Sequence, residues 1–362
     1  MNIFRQWYLR NFSDPQAIIL ALLLAGGFFV VIYWGSMLAP LLASVVIAYL
    51  LEAIVALLER KGLRRIFSVL IVFCVFIIVL LFLMLWLIPV LYAQVAQLVQ
   101  ELPRQIDSGQ QMLMQLPERY PQFVSEQQVS EIMNTIRGEL ASLGQNVLSL
   151  SLSSIPGLIA LIIYLILVPL LVFFFLKDKQ LILGWLATYL PKQRELATTV
   201  WAEMDQQIGN YVRGKFSEIL IVGGAAYIVF ILMGLNYAAL LGALVGLSVI
   251  IPYIGAAVVT IPVAMIAFFQ WGWGPEFAYL MLAYGIIQAL DGNVVVPLLF
   301  SEAVNLHPVA IIVAVLVFGG LWGFWGVFFA IPLATLVKAV LNAWPVKAQD
   351  HENDAPVNQD SD

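Results

Sequence analysis

Long apolar runs separated by short polar segments dominate the chain. Six of them have the roughly 20 consecutive apolar residues that an α-helix needs to cross a hydrocarbon core of about 30 Å. These runs are 17–35, 38–58, 66–88, 155–176, 216–234 and 276–299. The pattern predicts an all-α polytopic membrane protein with about six full spans.

Two further apolar blocks, 238–270 and 307–342, are too long for one ordinary membrane helix and are interrupted in the middle. Pro252-Tyr253-Ile254-Gly255 interrupts the first block, and Gly319-Gly320-Leu321-Trp322-Gly323 interrupts the second. Two short arms joined by a tight turn describe a re-entrant hairpin, which a membrane tolerates only where the turn is buried in protein or in water. The alternative is a pair of long, kinked spans, which gives eight spans by simple counting.

The two blocks also predict an inverted repeat in the C-terminal half. Each block follows a single span, and Ile261-Pro262-Val263-Ala264 in the first is echoed by Ile331-Pro332-Leu333-Ala334 in the second. In the hairpin alternative one span enters from each side of the membrane, so the repeat is inverted. Paired, Gly/Pro-interrupted short segments are the best sequence pointer to a transporter binding site.

The same patterns predict six segments along the chain. They are three membrane helices in 1–88, an outer helical segment in 89–154, a fourth membrane helix in 155–176, an inner loop with an amphipathic helix in 177–215, a core with the two interrupted blocks in 216–342, and an acidic, disordered tail in 343–362. The amphipathic helix has one apolar stripe, formed by Leu196, Val200, Met204, Ile208 and Val212. Such a helix lies in the membrane interface or packs against a bundle. Two roles stay open for the outer segment, a cap that extends the third membrane helix and a gate or subunit contact.

Composition excludes most soluble alternatives. Hydrophobic residues make up 62% and charged residues 11% of the 362 positions, whereas soluble domains carry about 25% charged residues. Cys74 is the single cysteine, which excludes intrachain disulfides and cysteine-based metal clusters. We interpret the first apolar run as a retained membrane helix, because no small-residue cleavage site follows it.

Basic residues predict the orientation in the membrane. Cytoplasmic loops carry an excess of Lys and Arg. With the N-terminus inside, the basic residues of 60–65 and 177–215 and those near the C-terminus all fall on the cytoplasmic side. Only Arg104, Arg119 and Arg137 then lie outside, in a long segment where the rule has little force. Both termini are therefore predicted to be cytoplasmic.

The strongest candidate chemistry is the polar run Gln288-Ala289-Leu290-Asp291-Gly292-Asn293 inside an apolar span. A carboxylate in the membrane costs roughly 2.5–3.5 kcal/mol on insertion scales unless it faces a partner or a water-filled cavity. We expect Asp291, Asn293 and Gln288 to bind a substrate or an ion. The structural alternative is an Asp291 that is paired with an arginine. The helix ends at Pro252, Tyr253 and Gly255 and at Gly319, Gly320 and Gly323 would add free backbone groups to the site.

Other motifs carry less chemistry. Gly209-Asn210-Tyr211-Val212-Arg213-Gly214-Lys215 matches seven positions of a P-loop, but Phe216 replaces the hydroxyl residue that holds magnesium, and no strand precedes it. His307 and His351 are the only histidines, and neither has neighbours spaced for a zinc site. The sequence therefore predicts no enzyme, no catalytic residue, no metal site, no cofactor, and neither ATP nor nucleic acid as a partner.

The chain resembles the autoinducer-2 exporter (AI-2E) family, in its PerM-type permease branch. The resemblance covers nearly the whole chain and rests on six stretches: Phe174 to Asp178, Asn210 to Gly214, Ile251 to Gly255, Gln288 to Pro297, Leu306 to Pro308 and Gly319 to Pro332. Lys215 departs from it, since many members carry Gln there, and so does Ala256, where Pro is common. The resemblance implies a secondary transporter of the bacterial inner membrane, with lipid and a small polar solute as partners. It also implies a homo-oligomer, with a pentamer as one candidate.

Three functions stay open at this point. The first is a permease that exports a small polar organic solute such as an autoinducer-2-like quorum signal. The second is a sodium (cation)/proton antiporter that uses Asp291, and the third is a membrane scaffold that transports nothing. In the transport hypotheses Arg213 pairs with Asp291 or gates the inner side. The other gating or coupling candidates are Tyr211, Lys177, Asp178 and His307.

Overall fold

The computed structural model describes residues 15–113, 155–189, 195–300 and 306–343, with a few isolated positions between 127 and 138. Almost all of this part of the chain is helical. The helices are α1 (Pro15–Arg60), α2 (Arg65–Phe82), α3 (Ile88–Leu113), α4 (Ile155–Lys177), α5 (Lys179–Thr188), α6 (Glu195–Leu232), α7 (Ala238–Ser248), α8 (Ile254–Trp271), α9 (Pro275–Leu290), α10 (Val296–Phe300), α11 (Pro308–Trp322), α12 (Phe324–Phe328) and α13 (Ala330–Ala343). The acidic tail and most of the outer segment lie outside the described residues.

The predicted all-α polytopic membrane class is confirmed. Within the described residues, five helical stretches are long and apolar enough to cross a membrane, and a sixth results if α4 and α5 are taken as one bent span. The five are Met37–Arg60, Arg65–Glu101, Ala197–Leu232, Ile254–Trp271 and Pro275–Phe300. The bend between α4 and α5 measures 81° and lies at Asp178.

Helix α1 contains two of the predicted apolar runs and must bend between them. Leu20 belongs to a cluster with Met204, and Tyr49 donates a hydrogen bond to Asp205. Ile208 packs against both the cluster that contains Leu20 and the cluster that contains Tyr49. A straight helix would separate positions 20 and 49 by about 43 Å, which is too far for both to reach the same two turns of α6. The two arms of α1 therefore return to one end of the molecule.

Two π-helical turns lie just before prolines. Leu83–Leu87 joins α2 to α3 ahead of Pro89, and Asp291–Val295 joins α9 to α10 ahead of Pro297. A proline inside a helix lacks the amide hydrogen and collides with the carbonyl four residues earlier. The wider turn relieves this conflict, and the amide of Val296 bonds back to the carbonyl of Asp291. Such turns are frequent at functional sites, and the second one contains the predicted site residues.

The first interrupted block, formed by α7 and α8, returns to the end where it started. The Gln270 side chain at the end of α8 donates to the carbonyl of Gly234 at 2.7 Å and accepts from the amide of Asn236 at 2.8 Å. The chain turns at 249–253, and Gly255 lies directly on the carbonyl of Ser248. Although α8 alone is long enough to be a span, these contacts give the block the geometry of a hairpin.

The second interrupted block folds back in the same way. Helix α11 ends at Gly323, whose φ of +58° favours glycine. After this turn, Gly326 lies directly on the carbonyl of Phe318, and Ala330 packs in one cluster with Ala314 and Val315. Below, hairpin 1 means residues 236–271 and hairpin 2 means residues 307–343.

Helix α6 connects the two hairpins. It has 38 residues and is about 57 Å long. The base of hairpin 1 packs at its C-terminal end through Phe230 and Leu235, while Val200 and Met204 near its start pack against Ala339 of hairpin 2. The bases of the two hairpins therefore pack at opposite ends of α6, and the inverted repeat stays a prediction. The predicted segment boundary at 215/216 falls inside this helix.

Small residues bring hairpin 1 close to α6. A Cβ at Gly246 would approach the carbonyl of Ile219 to 2.8 Å and the Cα of Gly223 to 3.0 Å, and a Cβ at Gly242 would approach Tyr227 to 2.8 Å. Gly242 and Gly246 have the four-residue spacing that lets membrane helices pack backbone to backbone. This packing sets the depth at which the tip of hairpin 1 meets α6.

Candidate functional site

A buried ion pair lies in the middle of α6, beside the tip of hairpin 1. Lys215 is 3% exposed and Glu218 is 2% exposed. The Lys215 Nζ is 2.7 Å from Oε2 of Glu218 and donates to the carbonyl oxygen of Val249 at 2.8 Å. Val249 follows the last residue of α7, where the helix dipole is negative, so an ammonium group is stabilised there.

An aromatic ring covers this ion pair on one side. The Lys215 Nζ lies 5.2 Å from the ring centroid of Phe300, which is within the range of a cation–π interaction. A Cβ at Gly214 would come within 2.8 Å of the same ring. The glycine thus lets Phe300 press against α6 and exclude water from the lysine.

Asp291 lies next to this pair, at the first position of the second π-helical turn. It interacts electrostatically with both Lys215 and Glu218. Its Oδ1 is buried and has no hydrogen-bond partner, whereas the residue as a whole is partly exposed. An unsatisfied buried acceptor is rare in folded proteins and calls for an explanation.

Gln288 lies in the last turn of α9 and Asn293 lies in the π-helical turn, and their side chains bond to groups other than the Asp291 carboxyl. Gln288 donates from Nε2 to the Tyr284 hydroxyl, which in turn accepts from Thr260 of hairpin 1 at 3.3 Å. Asn293 is exposed and donates to the carbonyl of Ala289 at 2.8 Å. Gln288 is thus linked to hairpin 1, and the carbonyl oxygen of the Asn293 side chain stays available to a ligand.

Tyr211 connects α6 to the other hairpin. Its hydroxyl donates to the carbonyl oxygen of Phe328 at 2.8 Å, and the side chain is buried. Arg213, two residues later, donates instead to Asn210 Oδ1 at 2.8 Å. The ion pairs of the described residues do not include one between Arg213 and Asp291. The basic group beside Asp291 is Lys215.

The tip of hairpin 1 is strained. Tyr253 has φ +64° and ψ −49°, a conformation that bulky residues rarely adopt, and it is 61% exposed. Gly255 is buried, and any side chain there would overlap the carbonyl of Ser248. Strained backbone of this kind clusters at binding and switching sites. Tyr253 is therefore accessible at the tip, and Pro252 beside it is half-buried.

The tip of hairpin 2 carries the predicted glycines and an unpaired indole. Gly319 contacts the Val327 side chain, whereas Gly320 and Gly323 have open space around them. Trp322 is stacked on Phe28 at 5.3 Å between ring centroids, and its buried Nε1 has no hydrogen-bond partner. This indole offers a free donor in an otherwise apolar setting.

The remaining gating candidates make local contacts of their own. Lys177 and Asp178 approach each other to 3.8 Å at the bend between α4 and α5. His307 is exposed and caps α11, because its Nδ1 accepts from the amide of Val309 at 3.2 Å. These contacts give each of the three side chains a structural role. Any gating role for them stays a prediction.

Helix α3 fastens the base of hairpin 1. Gln94 accepts from the amide of Leu240 at 2.8 Å, and Glu101 accepts from the Tyr237 hydroxyl at 2.6 Å. Burial and the neighbouring Glu101 carboxylate raise the pKa of Tyr237, so the hydroxyl remains a donor at neutral pH. The described part of the outer segment is therefore attached to a hairpin that forms the site.

Sequence reasoning missed Lys215 and Glu218 as site residues. Lys215 was assigned to the inner loop 177–215, and Glu218 was not singled out. The available signal was their spacing. Residues three apart lie on one face of a helix, so a lysine and a glutamate at this spacing can neutralise each other when they are buried. No group of three His, Cys, Asp or Glu side chains suited to a metal ion occurs among the described residues.

The fold and site can be compared with known proteins. The model of a family described as "AI-2E family transporter" matches residues 18–346. The Escherichia coli K12 protein named "Putative permease PerM" is 48% identical over 345 residues, which cover 95% of this chain and 98% of that protein. The Bacillus subtilis proteins named "Putative transport protein YueF" and "Putative transport protein YrrI" are 29% and 26% identical, over 85% and 83% of this chain and 84% and 85% of their own lengths.

Proposed function

The chain belongs to the AI-2E transporter family, and from this membership we propose that it is a secondary transporter that exports a small polar organic solute. An autoinducer-2-like quorum signal fits this description. The protein is a multi-pass membrane protein of the permease type. The proposal places it in the bacterial inner membrane as a homo-oligomer, with both termini in the cytoplasm.

The observation that carries the proposal is the meeting of two opposed hairpins at polar groups in the middle of α6. Lys215 bonds to hairpin 1 and Tyr211 bonds to hairpin 2. Non-helical backbone at membrane depth is tolerated where it lines a cavity or is buried in protein, and discontinuous helices of opposed repeats form the binding sites of many secondary transporters. A path that opens on either side of this point would give alternating access.

The groups left free at this point suit an uncharged solute. They are the partly exposed Asp291 carboxyl group and the Asn293 amide oxygen, and the tip of hairpin 2 adds the Trp322 indole N–H. Lys215 is already neutralised by Glu218, so this lysine is not available to an anionic solute. Hydroxyl and carbonyl groups of a small sugar-like molecule can bond to such donors and acceptors.

Proteoliposomes test this function directly. Labelled autoinducer-2 would be loaded into vesicles that contain wild-type protein, Asp291→Asn or Glu276→Gln. Glu276 is an exposed carboxylate on the same helix and serves as the matched control. We expect efflux from wild type and Glu276→Gln, and slower efflux from Asp291→Asn. Efflux no faster than from empty vesicles would exclude this solute.

The unpartnered Oδ1 of Asp291 also favours a second candidate function, cation/proton antiport. A carboxylate that alternately holds a proton and a cation needs an oxygen without a permanent partner, and Asp291 has one. The same vesicles, with a pH dye inside and imposed sodium or potassium gradients, separate the two functions. A cation-driven pH change that Asp291→Asn abolishes would favour antiport, and the absence of both activities would favour a scaffold.

A further inference from the structure

Three ionisable groups share the buried space between α6 and the second π-helical turn, and their charges do not balance. Lys215 carries one positive charge, and Glu218 and Asp291 carry one negative charge each if both are ionised. Lys215 and Glu218 neutralise each other across 2.7 Å. An ionised Asp291 would then leave one negative charge uncompensated in an apolar protein, which is unfavourable.

No other described group supplies the missing charge. The π-helical turn packs against α6, α9 and α10. From α6 it faces Lys215 and Glu218, while Arg213 is engaged with Asn210. The last turn of α9 and the whole of α10 contain no Asp, Glu, Lys, Arg or His, and the nearest ionisable side chain of α9 is Tyr284, which bonds to Gln288.

We infer that Asp291 binds one exchangeable proton, and that loss of this proton draws Lys215 away from the carbonyl of Val249 and frees the tip of hairpin 1. The proton makes Asp291 neutral in the conformation described here, which accounts for a buried Oδ1 without a partner. Because the side chain is partly exposed, the proton can pass to water in the solute path.

The second half of the inference follows from the geometry of Lys215. Its ammonium group donates to Glu218 and to Val249, and Asp291 lies within electrostatic range of it. When Asp291 becomes a carboxylate, its charge attracts the ammonium group, and movement of the lysine towards Asp291 lengthens one of the two existing bonds. The bond to the uncharged carbonyl of Val249 is the weaker of the two existing bonds, since charge-assisted pairs between ions are stronger. Hairpin 1 is the element that is released.

This inference rests on the proposed function only in so far as release of hairpin 1 serves transport. Proton binding itself is measured on the purified protein without any solute, so failure of one does not imply failure of the other. Infrared difference spectroscopy of reconstituted protein between acidic and alkaline buffer reports the carbonyl band of a protonated carboxyl group. We expect this band in wild type and in Glu276→Gln at neutral pH, and its loss in Asp291→Asn.

Release of the hairpin tip needs a second measurement. In a Cys74→Ala background, Ser248→Cys places one thiol at a buried position of the tip, beside Val249. We expect its labelling rate to rise with pH, by about tenfold for each pH unit while most molecules still hold the proton. Thiol labelling itself depends on pH, and this general dependence is measured at an exposed control site, Trp273→Cys. After correction for it, labelling of the variant that also carries Asp291→Asn should be slow and independent of pH.

The lysine supplies the decisive variant. Lys215→Met combined with Glu218→Gln removes both charges, so neither is left unpaired and the fold is retained. With no ammonium group on Val249, the tip should be labelled rapidly at all pH values after the same correction. The inference is wrong if the infrared band persists in Asp291→Asn. A pH-dependent tip in the double variant, equal to that of wild type, would refute the role of Lys215.

Discussion

Tyr211 and Lys215 lie one helical turn apart on the same face of α6, and each donates a hydrogen bond to a different hairpin. Tyr211 bonds to the carbonyl of Phe328 in hairpin 2, and Lys215 bonds to the carbonyl of Val249 in hairpin 1. Residues at this spacing are neighbours on a helix surface. A single helix therefore contacts both hairpins close to their tips.

Tyr211→Phe should weaken the attachment of hairpin 2. The variant removes the donor to the carbonyl of Phe328 in a partly buried setting, at a cost of about 1 kcal/mol. Thermal unfolding in detergent should therefore begin at a lower temperature. Tyr164→Phe is the control, because Tyr164 is exposed on α4. Equal unfolding temperatures for the two variants would show that the bond contributes nothing.

The effects of Lys215→Met and Glu218→Gln on the free energy of unfolding should not be additive. Removing Lys215 alone leaves Glu218 buried and unpaired, which typically costs about 3–5 kcal/mol. Removing both charges restores a neutral site, so the double variant should be more stable than Lys215→Met. Chemical unfolding of the four proteins of the cycle measures this coupling. A double variant that is less stable than either single one would contradict the ion-pair interpretation.

Gly255→Ala and Gly326→Ala should each abolish correct folding of one hairpin tip. The new Cβ would overlap the carbonyl oxygen of Ser248 in the first case and of Phe318 in the second. Gly224→Ala is the matched control, since nothing lies near a Cβ at that helical position. We expect loss of folded protein in size-exclusion chromatography for the first two variants only. Normal elution of either would mean that the tip has another conformation.

The two ends of hairpin 1 should face the same side of the membrane. Asn236 and Trp273 flank the block and are both exposed. In a Cys74→Ala background, Asn236→Cys and Trp273→Cys should both react with a membrane-impermeant thiol reagent added to intact cells. A long, kinked span predicts instead that only one of them reacts before the membrane is broken.

Interruptions of the apolar pattern were sufficient to locate the hairpin tips from sequence. Pro252–Gly255 and Gly319–Gly323 are residues that end helices, and both mark turns in the structure. The pattern left hairpins and kinked spans open, because the deciding contact is made by Gln270 with a backbone segment 34 residues away. Hydrophobicity along the chain contains no information about such a contact.

The ion pair was harder to predict for a different reason. Lys215 follows a stretch rich in basic residues, so its charge suggested the membrane surface. Continuation of α6 through this point, together with Phe300 and Val249 from distant segments, buries it instead. The polar run identified Asp291 as a candidate site residue, and in the structure its basic neighbour is Lys215 rather than Arg213.

The close backbone contacts of Gly255 and Gly326 determine which mutations these two positions tolerate. Every missense change in a glycine codon introduces a residue with a Cβ, and at these two positions a Cβ overlaps the backbone of the opposite arm. Neither position has a conservative replacement. In a saturation library selected for folded protein, both should therefore be depleted of all nineteen alternatives, whereas Gly224 and Gly285 should accept alanine. The number of surviving variants at each position would then be sufficient to identify the two hairpin tips.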